Sequence, residues 1–342
     1  MITRYKSEQL KAIAILMMLC LHLFNNNWYL EGLYQPLIFI GKQPLIYYIS
    51  LFCDACVPIL AFVSGYGLYF KYTKEPETYK IGNIKRIKKI YLNYWIILFL
   101  FAVLLGWIIN KDSYPGSWLK FLLNFTALDT SYNGAWWFFT IYVLFVLTSS
   151  FWFRLLNKVN PYFFVMALLL LYILGFYFRI YKTNLFENET LQWFHRQSAL
   201  YFCTLFQFML GAFALKYQWN THVGNIIDKL KYKNLVGMIG IVSLIVFHGI
   251  VPNFVVAPFT ALCFIFLFSQ MNIGKVGNKV LDFLAPHTTN LWLIHMFFYL
   301  IYLKDFTYSA TYVIPIFILL VIMCLLSSYV VNFINQKAQQ WL

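Results

Sequence analysis

Charged residues are scarce in this sequence of 342 residues, of which only 11% are Asp, Glu, Lys or Arg. A soluble globular domain carries about 25% charged residues. Hydrophobic residues make up 61% of the chain, and they come in runs of roughly 20, the length that crosses a hydrocarbon core of about 30 Å. The composition therefore excludes a soluble enzyme and predicts an all-α, polytopic transmembrane helical bundle.

Acidic residues are scarcer still, with 12 Asp and Glu against 26 Lys and Arg and a net charge of +14. In a soluble protein such a balance would suggest nucleic acid as a partner. In a membrane protein, however, an excess of Lys and Arg marks the cytoplasmic loops. We therefore expect membrane lipids around the chain and no nucleic-acid partner.

Cysteine is also limited, and all six cysteines fall inside apolar runs, where cysteine behaves as a small hydrophobe. Cys53 and Cys56 form one CxxC pair, but a zinc site of this type needs a second pair. The sequence therefore predicts no metal site. It also contains no internal repeat, and its first apolar run lacks a cleavage site of small residues. We expect residues 1–342 to form one integral membrane domain without an appended soluble domain.

The apolar runs predict about ten membrane spans, of which the boundary between the seventh and eighth is the least distinct. The predicted spans cover residues 10–27, 45–70, 90–109, 136–153, 161–178, 199–216, 234–250, 252–270, 288–304 and 310–333. An even number of spans puts both termini on the same side of the membrane. Seven basic residues lie in the loops of the other side: Lys42, Lys111, Lys120, Arg179, Lys182, Arg196 and Lys304. Because the remaining 19 lie on the side of the termini, both termini are predicted to be cytoplasmic.

An ionisable pair in the first span is the strongest indication of chemistry. Lys11 and His22 have ten residues between them, so on a helix His22 lies roughly 16 Å deeper than Lys11. Ionisable groups inside a membrane usually face the protein interior and mark functional paths. An imidazole can accept a proton from a hydroxyl near neutral pH. The alternative is a structural histidine bonded to a neighbouring helix.

Asp54 is the only acidic residue deep within a predicted span, on the helix that follows His22. A buried carboxylate needs a partner, and the imidazole of His22 is one candidate. As a pair they would form a catalytic base and the group that orients it. Asp54 could instead bond Tyr or Ser groups, or Lys11.

The rest of the second span combines a proline with small residues, Pro58 followed by Ser64, Gly65 and Gly67. Proline in a helix frees a backbone carbonyl and can kink the helix, and glycine permits close backbone approach. A simple helix–helix contact through small residues explains this segment equally well.

Two more groups of residues are candidates for substrate contact. Arg86 and Lys89 belong to a basic cluster at the cytoplasmic end of the third span, where they could hold phosphates, fix topology or contact anionic lipid. Trp136 and Trp137 open the fourth span, where they could face a sugar or form an interface belt. His295, in the middle of the ninth span, could join the His22 site or only support a helix contact.

Taken in order, these residues resemble the acyltransferase-3 family of integral membrane acyltransferases. The family opens with Arg or Lys and a His ten residues further in, as at Lys11 and His22. Its other recurring features are a Pro…Ser-Gly-Tyr segment, a basic pair, a Trp-Phe pair and a late histidine. They resemble Pro58 to Tyr66, Arg86 with Lys89, Trp137 with Phe138, and His295.

The resemblance implies an O-acetyltransferase that moves an acetyl group from cytoplasmic acetyl-CoA to a hydroxyl of a cell-surface or lipid-linked glycan. The chain is similar to compact members that act on bacterial capsule or exopolysaccharide in the inner membrane. On this basis His22 and Asp54 would be catalytic. The donor would be bound by Lys11, Ser64, Arg86 and Lys89, and the acceptor by Trp136, Trp137 and His295.

Two positions depart from the family pattern, because Lys11 and Lys89 stand where arginine is commoner. Lysine lacks the bidentate fork of arginine, so its grip on phosphate differs. The main alternative function is a glycan transporter or flippase without chemistry, which explains the loops but does not predict Lys11 and His22. The acceptor sugar and a homo-oligomeric state stay open.

Overall fold

The computed structural model describes residues 2–341, which fold almost entirely into helices. In chain order the α-helices are α1 (Arg4–Phe24), α2 (Leu45–Phe52), α3 (Cys56–Lys74), α4 (Tyr79–Ile97), α5 (Leu105–Ile108), α6 (Trp118–Phe125), α7 (Trp137–Lys158), α8 (Pro161–Ile180), α9 (Glu189–Lys216), α10 (Trp219–Ile227), α11 (Lys233–Ile250), α12 (Ala257–Gln270), α13 (Gly274–Leu284), α14 (Thr288–Met296), α15 (Lys304–Tyr308) and α16 (Val313–Ala338). Five 3-10 segments, Cys53–Ala55, Gly134–Trp136, Phe254–Val256, Ala285–His287 and Gln339–Trp341, and two π-helices, Leu98–Leu104 and Phe297–Tyr302, lie between or beside them. The strands β1 (Phe39–Ile40) and β2 (Gln43–Pro44) form one antiparallel hairpin with Phe39 opposite Pro44.

The helices confirm a polytopic helical membrane protein. Within residues 2–341, eight helical segments are long and apolar enough to cross a membrane. They correspond to the predicted spans one to seven and ten. The eighth predicted span corresponds to a shorter apolar helical segment, Phe254–Gln270, and the ninth to part of the interrupted helical run from Gly274 to Tyr302. The count of ten spans and the cytoplasmic termini stay predictions.

The described chain divides into two compact units built from interleaved segments. The first unit contains residues 2–11, 55–83 and 141–273, and the second contains residues 12–54, 84–140 and 274–341. Each unit takes helices from both halves of the sequence, and a single domain stays a prediction.

Glycine contacts between helices organise the first unit around α9. A Cβ atom placed on Gly65 of α3 would collide with the carbonyl oxygen of Phe208 on α9, and one on Gly211 of α9 would collide with the carbonyl oxygen of Phe62. A Cβ on Gly175 of α8 would lie 2.6 Å from the backbone nitrogen of Cys203. Small residues let helix backbones approach closely, which gives the packing that holds membrane helices together.

The segment from Pro58 to Gly67 therefore has a structural explanation that differs in part from the expected one. Pro58 lies in the first turn of α3, directly after the 3-10 segment Cys53–Ala55. There its missing N–H removes no helical hydrogen bond, so the interruption precedes the proline. The expected close approach is confirmed at Gly65, but it was wrong for Gly67, which has open space within 4 Å of a built Cβ.

Two helix starts in this unit, those of α8 and α9, follow ordinary capping chemistry. The side chain of Asn160 accepts a hydrogen bond from the backbone N–H of Tyr162, and Pro161 occupies the first turn of α8. The side chain of Asn188 accepts from the backbone N–H of Leu191 at the start of α9. Such caps satisfy backbone donors that a helix leaves unpaired.

Side-chain amides connect the helices of the second unit. Asn93 of α4 donates from Nδ2 to Oδ1 of Asn290 on α14 over 2.7 Å, and Asn335 of α16 donates to Oδ1 of Asn93 over 2.8 Å. Asn290 in turn donates to Oδ1 of Asn332 and to Oγ of Ser328, both at 2.8 Å. Interhelical polar bonds of this kind fix how membrane helices are paired. We call the four residues Asn93, Asn290, Asn332 and Asn335 the asparagine network.

Two loops of the second unit pack on each other beyond the end of α1. The backbone N–H of Gln35 donates to the carbonyl of Thr311 over 2.8 Å, and the hydroxyl of Tyr308 donates to the carbonyl of Leu23 over 3.0 Å. These bonds hold the loop after α1 against the segment before α16.

Candidate active site

The structure brings His22 and His295 together. His22 lies in the last turn of α1 and is partly buried, and His295 lies near the end of α14 and is completely buried. Nδ1 of His22 is 2.6 Å from Nε2 of His295. The two ring planes differ by 5° and their centroids are 4.9 Å apart, which is one hydrogen bond plus the two ring radii. The imidazoles are therefore coplanar and meet edge to edge.

The hydrogen-bond network fixes where the protons lie on this pair. Nδ1 of His295 is 2.7 Å from the carbonyl oxygen of Trp292. A carbonyl only accepts, so Nδ1 of His295 carries a hydrogen, and Nε2 of the neutral ring is an acceptor. His22 must then donate from Nδ1. Nε2 of a neutral His22 is left with a free lone pair, which is the requirement for a general base.

The helix that carries His295 is interrupted directly after it. In an uninterrupted helix the backbone N–H of Phe297 would donate to the carbonyl of Leu293. Here it donates instead to the carbonyls of Ile294 and His295, and a π-helix runs from Phe297 to Tyr302. Short π-helical interruptions occur frequently at functional sites. Here the interruption frees the carbonyl of Leu293 for side-chain donors.

The residues before α7 take up that free carbonyl and fasten α14 in position. Nδ2 of Asn133 and Nε1 of Trp136 donate to the carbonyl of Leu293 over 3.0 and 2.8 Å. Nε1 of Trp292 donates back to the carbonyl of Ala135 over 2.8 Å. Because Trp292 also accepts the bond from His295, this reciprocal pairing sets the orientation of the imidazole.

This arrangement changes the interpretation of the tryptophans at the start of the fourth span. Trp136 is completely buried, and its indole N–H is used by Leu293, so it supports α14 and presents no face to a sugar. Trp137 is partly exposed. A contact between Trp137 and the acceptor stays a prediction.

Aromatic rings line the other side of the two imidazoles. Tyr299, one turn after His295, lies with its ring 6.1 Å from His22 and 5.9 Å from His295, with plane angles of 12° and 8°. Trp28 lies 6.3 Å from Tyr299, and Tyr308 lies 5.6 Å from Trp28. These residues were not predicted from the sequence. Only the four-residue spacing of His295 and Tyr299 could have suggested a shared helix face.

Beyond these rings the loop tyrosines are neutral. Burial, reinforced by Tyr29, raises the pKa of Tyr34 to about 12, and burial also raises the pKa of Tyr308 above its usual range. A hydroxyl with a raised pKa keeps its proton at neutral pH. These side chains therefore contribute ring surface and dipoles to the site, not negative charge.

Asp54 lies in the 3-10 segment Cys53–Ala55 and is partly buried. His22 lies two residues before the end of α1, whereas Asp54 follows the eight residues of α2. Along the helices, Asp54 therefore lies further than His22 from the loop that joins the first two spans. The hydrogen bond that the structure gives to His22 goes to His295. A catalytic contribution of Asp54 stays a prediction.

The proposed donor-binding residues are divided between the two units. Lys11 and Ser64 belong to the first unit, and Ser64 donates its hydroxyl to the carbonyl of Leu60 over 2.7 Å within its own helix. Arg86 and Lys89 belong to the second unit on α4, where Arg86 is partly buried and Lys89 is exposed. Asn93 is seven residues after Arg86 and so lies on the same helix face. The asparagine network thus begins near the basic cluster, and Asn290 lies five residues before His295 on α14.

Compared with models of protein families, residues 4–333 match the family described as Acyltransferase domain. No curated protein and no solved structure shows significant similarity to the chain. The family match includes both compact units, the histidine pair and the basic residues of α4.

Proposed function

The chain belongs to the acyltransferase-3 family, and from this membership we propose that it is an O-acetyltransferase of the bacterial inner membrane. It is a multi-pass membrane acyltransferase, and the finer proposal concerns its substrates. The donor is cytoplasmic acetyl-CoA, and the acceptor is a hydroxyl of a capsular, exopolysaccharide or lipid-linked glycan.

The observation that carries this proposal is the bond between His22 and His295. Acyl transfer to a hydroxyl needs a base that removes the hydroxyl proton as the oxygen attacks. The carbonyl of Trp292 keeps a proton on Nδ1 of His295, which orients His22 with Nε2 available. This supports His22 as the base and His295 as the residue that positions it.

The reaction can be written as one addition and one elimination. Nε2 of His22 accepts the proton of the acceptor hydroxyl, and the oxygen forms a bond to the acetyl carbonyl carbon. The carbon–sulfur bond of the thioester then breaks, and the thiolate of CoA takes the proton from His22. The positive charge on His22 in between is stabilised by the hydrogen bond from its Nδ1–H to His295.

The donor binds through the second unit in this proposal. Arg86 and Lys89 contact the phosphates of CoA by charge-assisted hydrogen bonds. The pantetheine arm carries amides, and the asparagine network offers amide partners between the basic end of α4 and the helix of His295. Lys11 and Ser64 are proposed as additional contacts to the donor. Because His22 acts as a base in this proposal, the acetyl group is transferred directly, without an acyl-enzyme.

The proposal is tested with purified protein in lipid nanodiscs, labelled acetyl-CoA and a panel of glycans. We expect transfer of label to glycan that depends on protein, and an ester linkage that mild base removes. The glycan of cells that lack the gene should also lose O-acetyl signals by NMR. If label is never transferred and the cells instead retain unexported glycan, the transporter alternative is correct.

A further inference from the structure

A lysine and an aromatic platform lie beside the histidine pair in the second unit. Nζ of Lys304 lies 4.3 Å from the centre of the Trp28 ring. Trp28 contacts Tyr299, and Tyr299 contacts His22, with ring centres 6.3 and 6.1 Å apart. The cation is therefore separated from His22 by two aromatic rings. We call Lys304, Trp28 and Tyr299 the cationic platform.

Trp28 is held in a fixed position by its backbone. Its N–H donates to Oδ1 of Asn26 over 3.0 Å, and its carbonyl accepts from the N–H groups of Glu31 and Leu33, both at 3.1 Å. Its ring meets Tyr308 at 82°, an edge-to-face contact. Because the ring is already fixed, little additional conformational entropy is lost when a ligand packs on it.

The surroundings of Lys304 differ from those of two other lysines in the same unit, Lys111 and Lys120. Nζ of Lys111 donates to the carbonyl of Ile301 over 2.7 Å, and Nζ of Lys120 donates to the carbonyl of Ser113 over 3.1 Å. Within residues 2–341, Lys304 contacts a ring and makes no ion pair or hydrogen bond. Its three N–H donors are available, and an ammonium with available donors binds anionic oxygen well.

We propose that the cationic platform binds an acidic acceptor, a glycan with a carboxylate or phosphate near the acetylated hydroxyl. The inference rests on the proposed function and narrows its substrate class. A sugar ring packs on Trp28 beside Tyr299, its anionic group pairs with Lys304, and the neighbouring hydroxyl reaches Nε2 of His22. Because the contacts from Lys304 to His22 run through the rings of Trp28 and Tyr299, the proposal places one or two sugar residues between the anionic group and the reacting hydroxyl.

The chemistry of the site selects this class of acceptor. Aromatic faces suit the apolar C–H surface of sugars. The hydrogen bond that an ammonium donates to an anionic oxygen is stronger than the one that it donates to a neutral hydroxyl. A lipid phosphate headgroup offers the same anionic oxygens, so the experiment must separate a glycan from a lipid.

The test compares an oligosaccharide that contains a uronic acid with the same oligosaccharide after reduction of its carboxyl groups. Binding is measured by calorimetry in neutral phosphatidylcholine nanodiscs, and acetyl transfer is measured in the same nanodiscs. We expect the acidic form to bind about tenfold or more tightly, the size of one hydrogen bond to a charged group. The Lys304→Met variant should treat the two forms alike, and Lys304→Arg should restore the preference.

Lys42 provides the matched control, because it lies exposed in the turn between β1 and β2 of the same unit. Lys42→Met should leave the preference intact. Trp28→Leu should weaken both forms, because it removes the ring on which the sugar packs. Added phosphatidylglycerol should change binding little in the unaltered protein.

Three results would overturn the inference. The first is equal binding of the acidic and reduced forms. The second is a preference that survives in Lys304→Met. The third is an effect of Lys304→Met that follows phosphatidylglycerol content and not the charge of the glycan, which would identify a lipid headgroup site. Failure of the proposed function has a different signature, since binding would keep its preference while no acetyl group moved to any glycan.

Discussion

The two compact units use different chemistry to join their helices. In the first unit, α3 and α8 contact α9 through Gly65, Gly211 and Gly175, and polar bonds between helices are made by tyrosine hydroxyls and amides, as from Tyr69 to Asn157 and from Gln270 to Asn220. In the second unit, amides and imidazoles bond across helices. A hydroxyl of tyrosine keeps its proton near neutral pH, whereas an imidazole exchanges one. The comparison predicts that the second unit carries the chemistry and that the first supports it.

The largest effect is expected from His22→Gln. Glutamine keeps hydrogen bonding but cannot carry the proton, and general-base catalysis contributes about 10²–10⁴-fold. Turnover in purified, folded protein should fall by that range. The matched control is His222→Gln, an exposed histidine of the first unit, which should retain activity. Near-native turnover of His22→Gln would show that His22 is structural and would remove the chemical difference between the units.

The second effect concerns donor binding. Arg86→Ala combined with Lys89→Ala should weaken acetyl-CoA binding by a few kcal/mol, roughly a hundredfold, since charge-assisted hydrogen bonds are lost. The pair Lys85→Ala and Lys88→Ala, exposed on the same helix, is the control and should change affinity little. Equal losses in the two double variants would indicate a general effect of charge, such as topology or lipid contact.

A third prediction sharpens the role of the histidine pair. His295→Leu removes the acceptor for Nδ1–H of His22, so turnover should fall about tenfold to a hundredfold, the value of a hydrogen bond to a charged group. His295→Gln supplies a side-chain carbonyl in its place and should lose less. Turnover is measured for both variants at matched thermal stability. If His295→Gln is as impaired as His295→Leu, the assignment of the acceptor atom is wrong.

The smallest effect is expected from Gly65→Ala in the first unit, which should leave turnover per folded molecule unchanged. Gly65→Ala forces α3 away from α9, and over-packing of this kind costs about 1–3 kcal/mol, so the thermal midpoint should fall by several degrees. Gly67→Ala, two residues along the same helix, has open space and gains up to about 1 kcal/mol of helix propensity. A lower midpoint for both variants, or for neither, would contradict the glycine contact.

The site was only partly predictable because sequence spacing reports helix faces, not which helices meet. The embedded His22 was recognisable, since an ionisable group in an apolar run is rare. His295 was named only as one of two alternatives for joining the His22 site, because it is 273 residues away and Asp54 was the nearer candidate along the chain. Trp136 was recognised as notable but assigned to the acceptor, since an aromatic residue at a span end has the same sequence signature whether it faces out or is buried.

The sequence alone determined the class of structure and the family, because apolar run length and scarce charge allow only membrane helices, and short motifs in a fixed order identify relatives. The tertiary structure decided which side chains meet. Only the packing of α14 against the segment before α7 freed the carbonyl of Leu293, orientated His295 and so left one nitrogen of His22 as the base. The physical reason is that proton positions follow from hydrogen-bond partners, and partners on different helices are chosen by packing.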